Sequence, residues 1–341
     1  MTATATATLA GSALRTFLSP LAPLLARPEL SEVSVNRPGE VFVDEAGQMS
    51  RIELPALTRE HLLRLASLIA YETHQVIDET RPLLSAWLPG GQRVQVVMPP
   101  ACEADTVVMS FRRQAERAYT LDDYERSGMF EGARIAHDQI LSAEDSELQA
   151  LLRDGRLKEF LRKAVHHRRN IVVSGSTGSG KTTFLNALLR ELPIEERVLT
   201  IEDVRELRPT VANRAHLLAS KGGQGVAKVT VQDLLEACLR LRPDRIILGE
   251  LRGAEASTFL HVVNSGHPGS LTSVHADSPA LAFERMALMV MQGNASLNRD
   301  QILAYLHGVV DVIVQVRREP GRRRVSAIYF RHAESVLECS E

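Results

Sequence analysis

The chain has 341 residues, 44% of them hydrophobic and 24% charged, with a formal net charge of −2. That length suits two domains, the composition is ordinary for a globular protein, and the near-neutral balance supplies no general basic surface for nucleic acid. Three separated cysteines (Cys102, Cys238, Cys339), with no C-x-x-C pair, argue against a disulfide framework or structural zinc site and fit a reducing compartment.

The start, MTATATATLAGSAL, has no basic residue before Arg15 and reads as a frayed terminus rather than a secretory signal. No apolar run approaches the ~18 residues needed to cross a bilayer, so the expected location is cytoplasmic. Residues 12–130 form a first unit. Val33–Asn36 and Glu40–Val43 are strand-like about an Arg37-Pro38-Gly39 turn. Thr58 can cap a helix carrying Leu62, Leu65, Ala66 and Ile69 at helical spacing. Arg93–Met98 and Thr106–Phe111 are further strands around Pro99-Pro100. Strands grouped with a helix, without βαβ alternation, predict an α+β domain. Residues 131–150 are mixed and polar and read as a linker, followed by an α/β domain over 151–335.

In that second domain Ile171-Val172-Val173 reads as a buried strand, then come Gly175-Ser176-Thr177-Gly178-Ser179-Gly180-Lys181-Thr182 and a helix opening at Thr183. The pattern G-x-x-x-x-G-K-[ST] between strand and helix predicts a polyphosphate cradle. The glycines let successive N–H groups converge, and the helix N-terminus adds partial positive charge. Lys181 would reach the β- and γ-phosphates, and the Thr182 hydroxyl would ligate Mg²⁺, which makes ATP and Mg²⁺ the expected cofactors.

Leu199–Ile201, Arg245–Gly249 and Ser270–Val274 are apolar strands expected beside the P-loop strand in a mostly parallel sheet. After the first come Glu202, Asp203 and Glu206, carboxylates that suit either hydrolytic chemistry around magnesium or the first turn of a charged helix. The second ends in Glu250, in the form of a Walker B element, with a water-mediated or polarising role expected rather than direct metal ligation. The third leads to His275, either structural or a hydrogen-bond donor to phosphate. Two basic clusters remain. His166-His167-Arg168-Arg169 reads as a polar helix end. Arg317-Arg318-Glu319-Pro320-Gly321-Arg322-Arg323-Arg324 reads as a solvated hairpin tip, with anionic lipid or a partner as the alternative.

Taken in order, GSTGSGKT, TIEDVREL, LRLRPDRIILGELRG and GHPGSLTSVHA resemble the Walker A, Asp box, Walker B and His box of the secretion-ATPase superfamily. VNRPGEVFV and LPGGQRVQVVMPP look like the amino-terminal domain of its type IV secretion traffic ATPases. The resemblance spans residues 20–330. It implies a RecA-like P-loop NTPase domain preceded by a smaller α+β domain, in a homohexamer that hydrolyses ATP to power secretion or conjugation. Cytoplasmic placement, peripheral at the inner membrane beside secretion-machinery partners, is also implied, without direct nucleic-acid binding. By the same resemblance Glu206 is the general base, and Glu250 and His275 stand near the γ-phosphate. Arg242, Arg93 and Arg112 contact phosphate, with Arg113 able to substitute for Arg112 because the spacing is one residue short. Pilus extension or retraction ATPases, a nucleic-acid motor on the same core and a non-catalytic nucleotide-binding scaffold are the rivals. The motor predicts basic, aromatic-bearing loops, and only 4% of residues are aromatic.

Overall fold

Period-two alternation in the first unit's strands separates an apolar face from a polar one, and in Leu30–Val35, Gly39–Glu45, Arg93–Val97 and Val108–Arg112 both are largely buried. A computed structural model describes residues 13–113, 120–133, 141–220, 225–293, 297–333 and 337–338. The terminal segment 1–12, Cys339, and parts of the expected linker and domain ends lie outside them. The chain begins with α1 (Ala13–Leu18), α2 (Ala22–Leu25), β1 (Leu30–Val35), β2 (Gly39–Glu45), β3 (Gln48–Leu54) and α3 (Arg59–Glu72). After these come β4 (Leu83–Trp87), β5 (Arg93–Val97), β6 (Val108–Arg112) and α4 (Leu121–Arg126). The six strands form an antiparallel sheet in the order β3-β2-β1-β6-β5-β4. Thr58 caps α3, its hydroxyl accepting from His61 N at 3.1 Å. Leu62, Leu65, Ala66 and Ile69 face Val33, Val35, Val94, Val96 and Phe111 in one core. The other sheet face presents Glu32, Ser34, Asp44, Gln95 and Ser110, all buried.

The second unit runs through α5 (Ala143–Arg153), α6 (Leu157–His166), β7 (Ile171–Ser174), α7 (Lys181–Leu189), β8 (Val198–Glu202) and β9 (Arg214–Leu218). It continues with α8 (Val231–Leu241), β10 (Arg245–Leu248), α9 (Glu255–Asn264), β11 (Leu271–Val274), α10 (Pro279–Gly293) and α11 (Arg299–Val309). The antiparallel β12 (Val312–Glu319) and β13 (Arg322–Phe330) follow, and β14 (Leu337–Glu338) ends the described chain. Helix α5 starts inside the stretch expected as linker, and its Leu148, Leu151 and Leu152 are buried in the second unit's core.

The sheet order is β14-β13-β12-β7-β11-β10-β8-β9, and every pair from β12 to β9 is parallel. Strands β7, β8, β10 and β11 are buried along their whole length, as a sheet covered on both faces requires. Ile171, Val173, Ile247 and Leu271 pack on the side of α5, α6 and α7, while Val172, Ile201, Leu248 and Val274 pack on the side of α8 to α11. The P-loop strand therefore neighbours β11 and β12, and the Walker B strand lies one further away.

The two units meet through the polar sheet face, against which α8 packs at β5 and β6. Arg197, fully buried, donates from Nη1 to Asn36 Oδ1 at 2.7 Å and Asn213 Oδ1 at 2.8 Å. Leu218 N donates to Ala101 O at 2.8 Å, and Arg205 pairs with Glu103. The first unit thus rests on the β9 edge and beside α8.

Candidate functional site

Parallel pairing puts the carboxyl ends of β7, β8, β10 and β11 on one edge, because Ser174 pairs with Val274 and Ile201 with Leu248. Loops leaving those ends converge, the usual position of a ligand site in an open α/β sheet. Gly178 and Gly180 have φ of +74° and +96°, left-handed conformations that side chains rarely adopt. Gly175 has no room for a side chain, since a Cβ there would meet Ser179 Oγ and Val316 O, each at 2.5 Å. Helix α7 begins at Gly180 without a side-chain cap, so its N–H groups remain available to an anion.

A cavity of about 670 Å³ is lined by Thr177, Gly178, Lys181 and Thr182, by Glu202, Asp203 and Glu206, and by Glu250 and His275. All four sequence segments contribute to it. Their polar groups form a continuous chain. Lys181 Nζ donates to Ser176 O at 3.2 Å and to His275 Nδ1 at 3.2 Å. His275 Nε2 lies 3.5 Å from the same ammonium and 2.5 Å from Glu250 Oε1, a close charge contact rather than a hydrogen bond. Arg252 Nε donates to Glu250 Oε2 at 2.8 Å, and its Nη1 to Asp203 Oδ2 at 2.6 Å. Arg252 was not singled out by the sequence. Its position two residues beyond Glu250, after the strand has ended, was the available signal.

Glu202 Oε1 accepts from Glu206 N at 2.8 Å and Leu207 N at 2.9 Å, fixing the turn that carries Glu206. No helix follows Glu202, so the charged helix start is set aside. Burial raises the Glu202 carboxyl above its ordinary value, and its Oε2 is buried with no hydrogen-bond partner. Burial also lowers Lys181, opposed by the Glu250 charge. Among the described residues no three His, Cys, Asp or Glu side chains cluster as a metal site. An all-protein cage is therefore not offered there. The Thr182 hydroxyl and the orphaned Glu202 oxygen beside a phosphate cradle do suit Mg²⁺, which keeps waters and substrate oxygens as ligands.

The expected phosphate-contacting arginines are not brought to this cavity. Arg242 ends α8 with φ +48° and pairs with Asp44, at the amino edge of the sheet, opposite the P-loop. Arg93 and Arg112 face each other across β5 and β6, with Arg93 4.4 Å from the Trp87 ring centroid. Val97 and Val108, at the other end of those strands, are the residues that pack on the second unit. Arg113 Nη1 donates to Arg27 O at 2.8 Å, within the first unit. Arg93, Arg112 and Arg113 share one cause, since the first unit rests on β9 and α8, away from the chain's own P-loop; Arg242 lies just before β10 and so stays at the amino edge of the sheet. Ser176 and Thr177 are exposed on the loop, and Thr183 lines a second cavity of about 770 Å³ with Glu206 and four arginines, Arg190, Arg205, Arg208 and Arg214.

Comparison with known proteins gives one consistent result. Residues 16–322 match the family model described as Type II/IV secretion system protein. The chain is 44% identical over 321 residues to the type IV secretion system protein VirB11 of Brucella suis biovar 1 (strain 1330), covering 92% of this chain and 89% of that protein. It is 41% identical over 326 residues to the type IV secretion system protein PtlH of Bordetella pertussis, covering 92% and 94%. The crystal structure of the VirB11 ATPase from the Brucella suis type IV secretion system, in complex with sulphate, superposes with a TM-score of 0.88 at 42% identity, covering 94% of this chain and 98% of that one.

Proposed function

This chain belongs to the Type II/IV secretion system protein family and is a type IV secretion ATPase with a RecA-like core, and from that premise we propose that it works as a Mg²⁺-dependent homohexameric ring at the cytoplasmic face of the inner membrane. The observation that carries the proposal is the convergence of the P-loop, Glu202–Glu206, Glu250 and His275 on one cavity at the carboxyl edge of the sheet. No helix among the described residues is long and apolar enough to cross a membrane, so membrane attachment would be through partners or the surface.

The residues divide by charge. Backbone N–H groups of residues 176–183 and the α7 N-terminus bind the phosphates, with Lys181 exchanging Ser176 O and His275 for phosphate oxygens. Bound with ATP, Mg²⁺ supplies charge that offsets the repulsion between phosphates and the acids opposite. The Thr182 hydroxyl would hold it, with Glu202, Asp203 and Glu250 as the carboxylates around it. Glu206 accepts the proton of the attacking water at its carboxylate, and Glu250 is held in place by Arg252, with His275 against its other oxygen. Such positioning and charge placement is most of what phosphoryl transfer needs. Arg93, Arg112 and Arg242 then serve a neighbouring copy's nucleotide, because their own chain keeps them away from its own.

Light scattering with magnesium and a non-hydrolysable ATP analogue is expected to give six chains of 37.6 kDa each. A monomer at micromolar concentration with nucleotide present overturns the ring.

A further inference from the structure

Beside the P-loop, on the side away from the acids, stands the arginine-rich hairpin. Strand β12 runs parallel to β7 with Gln315 opposite Ser174, so the residues that follow rise alongside the phosphate cradle. Arg318 pairs directly with Arg323 across β12 and β13. A Cβ placed on Gly180 would meet Arg323 Cδ at 2.8 Å and Nε at 3.3 Å, and one on Gly178 would meet Arg318 Nη1 at 3.7 Å. The hairpin's other arginines are occupied. Arg322 and Arg324 donate to Glu319, at 2.7 and 2.5 Å, and Arg317 donates to Asp277 O at 3.4 Å. Among the described residues the Arg318 and Arg323 side chains have no hydrogen bond or ion pair, and both residues are exposed.

Two like charges placed directly opposite on a hairpin repel each other, and the uncapped α7 N-terminus beside them adds a third positive group. Nothing acidic in the hairpin is left to compensate, since Glu319 is shared by Arg322 and Arg324. An anion relieves this arrangement, and the nearest anion site is the phosphate cradle itself.

We propose that Arg318 and Arg323 form a cationic clamp on the phosphate chain of the nucleotide held by the P-loop. The proposal rests on the nucleotide-binding reading of that loop and adds two residues to it. The planar guanidinium fork suits bidentate contact with phosphate oxygens. A clamp on the P-loop flank holds ADP and ATP alike, because it lies opposite the acids around which hydrolysis is arranged.

The test is titration calorimetry of the full chain with MgADP and with a non-hydrolysable MgATP analogue. The Arg318→Ala/Arg323→Ala double variant is expected to weaken both by about tenfold or more, from the loss of charge-assisted hydrogen bonds. Arg322→Ala, which removes a partner of Glu319, is expected to bind both as the wild type does. An unchanged melting temperature without nucleotide confirms that the variant folds. Should it not fold, the Arg318→Lys/Arg323→Lys pair, which keeps charge but loses the fork, is expected to show an intermediate loss. Wild-type affinity in a folded double variant overturns the clamp and leaves the P-loop reading standing. Failure of the wild type itself to bind nucleotide overturns both. Unchanged nucleotide affinity with lost binding to phosphatidylglycerol-containing vesicles would assign the two arginines to a lipid surface and also overturn the clamp.

Discussion

Glu206 is exposed at the border of two cavities, one closed by the P-loop and the other lined by arginines. Its backbone is held from below by Glu202 and its carbonyl by Asn186 Nδ2 at 3.0 Å, so its carboxylate is positioned while remaining open to water. Glu206→Gln keeps this geometry and removes proton acceptance. Turnover is expected to fall by about 10²–10⁴ with nucleotide affinity unchanged. A collapse of ADP affinity in that variant would make Glu206 part of the binding shell instead. His216 makes a different kind of prediction. Its Nδ1 donates to Thr200 Oγ1 at 2.8 Å, and its Nε2 accepts from Arg205 Nη2 at 3.1 Å, so the ring is held neutral. Burial first, and then the charges of Arg205 and Arg214, bring its pKa from 6.5 down to about 3. Because the folded value lies below the unfolded one, the unfolded chain binds more protons between them. The stability contributed is therefore complete above pH 6.5 and is lost as pH falls towards 3. Unfolding free energies from urea denaturation across that window should fall with acid, by up to about 1.4 kcal/mol per pH unit from this group. His216→Gln should flatten the profile, and an equally steep profile in the variant would contradict this assignment.

At the scale of elements, the notable feature is an interface built from the polar side of a sheet. Asn36 Nδ2 donates to Asn213 Oδ1 at 2.8 Å, and Asn36 Oδ1 accepts from the fully buried Arg197. Asn36→Ala leaves both second-unit partners short of a bond in a dry place. A loss of about 1–3 kcal/mol in chemical denaturation is expected, and a neutral result would mean that water replaces the amide. The same elements show what could and could not be read from the chain. The P-loop is legible because its chemistry is local: glycines, lysine and threonine at fixed spacing between a strand and a helix. Strand β3 escaped notice because it lies at the sheet edge with no fully buried residue and so lacks an alternating signal. Strand β9, RAHLL, gave no pattern either, its burial being set by the first unit lying over it. The hairpin was read correctly as a hairpin, but its place beside the P-loop depends on β12 pairing with β7, which no local pattern encodes. That Arg242 lies away from its own chain's cavity is likewise set by tertiary structure, since it ends α8 at the amino edge of the sheet and pairs with Asp44 of the other unit.

For the molecule as a whole, charge is sorted across the cavity. Lys181 and N–H groups line the P-loop flank, and Glu202, Asp203, Glu206 and Glu250 line the opposite one, with Arg252 paired to two of them. The first unit sits away from this cavity on a mixed interface, where Val97, Ala101, Cys102 and Val108 join the second unit's core beside the polar Asn36–Arg197–Asn213 contacts. The central claim is narrower: the converging segments make one ATP-hydrolysing site. Lys181 tests it most directly, because its ammonium is held by Ser176 O and His275, with burial already disfavouring the charge. Removing it should not destabilise the nucleotide-free fold. Phosphate release from MgATP, measured on the wild type and on Lys181→Ala at equal melting temperature, is predicted to show turnover that falls at least about 10²-fold in the variant. Equal release by both proteins, or none by the wild type, would contradict the account.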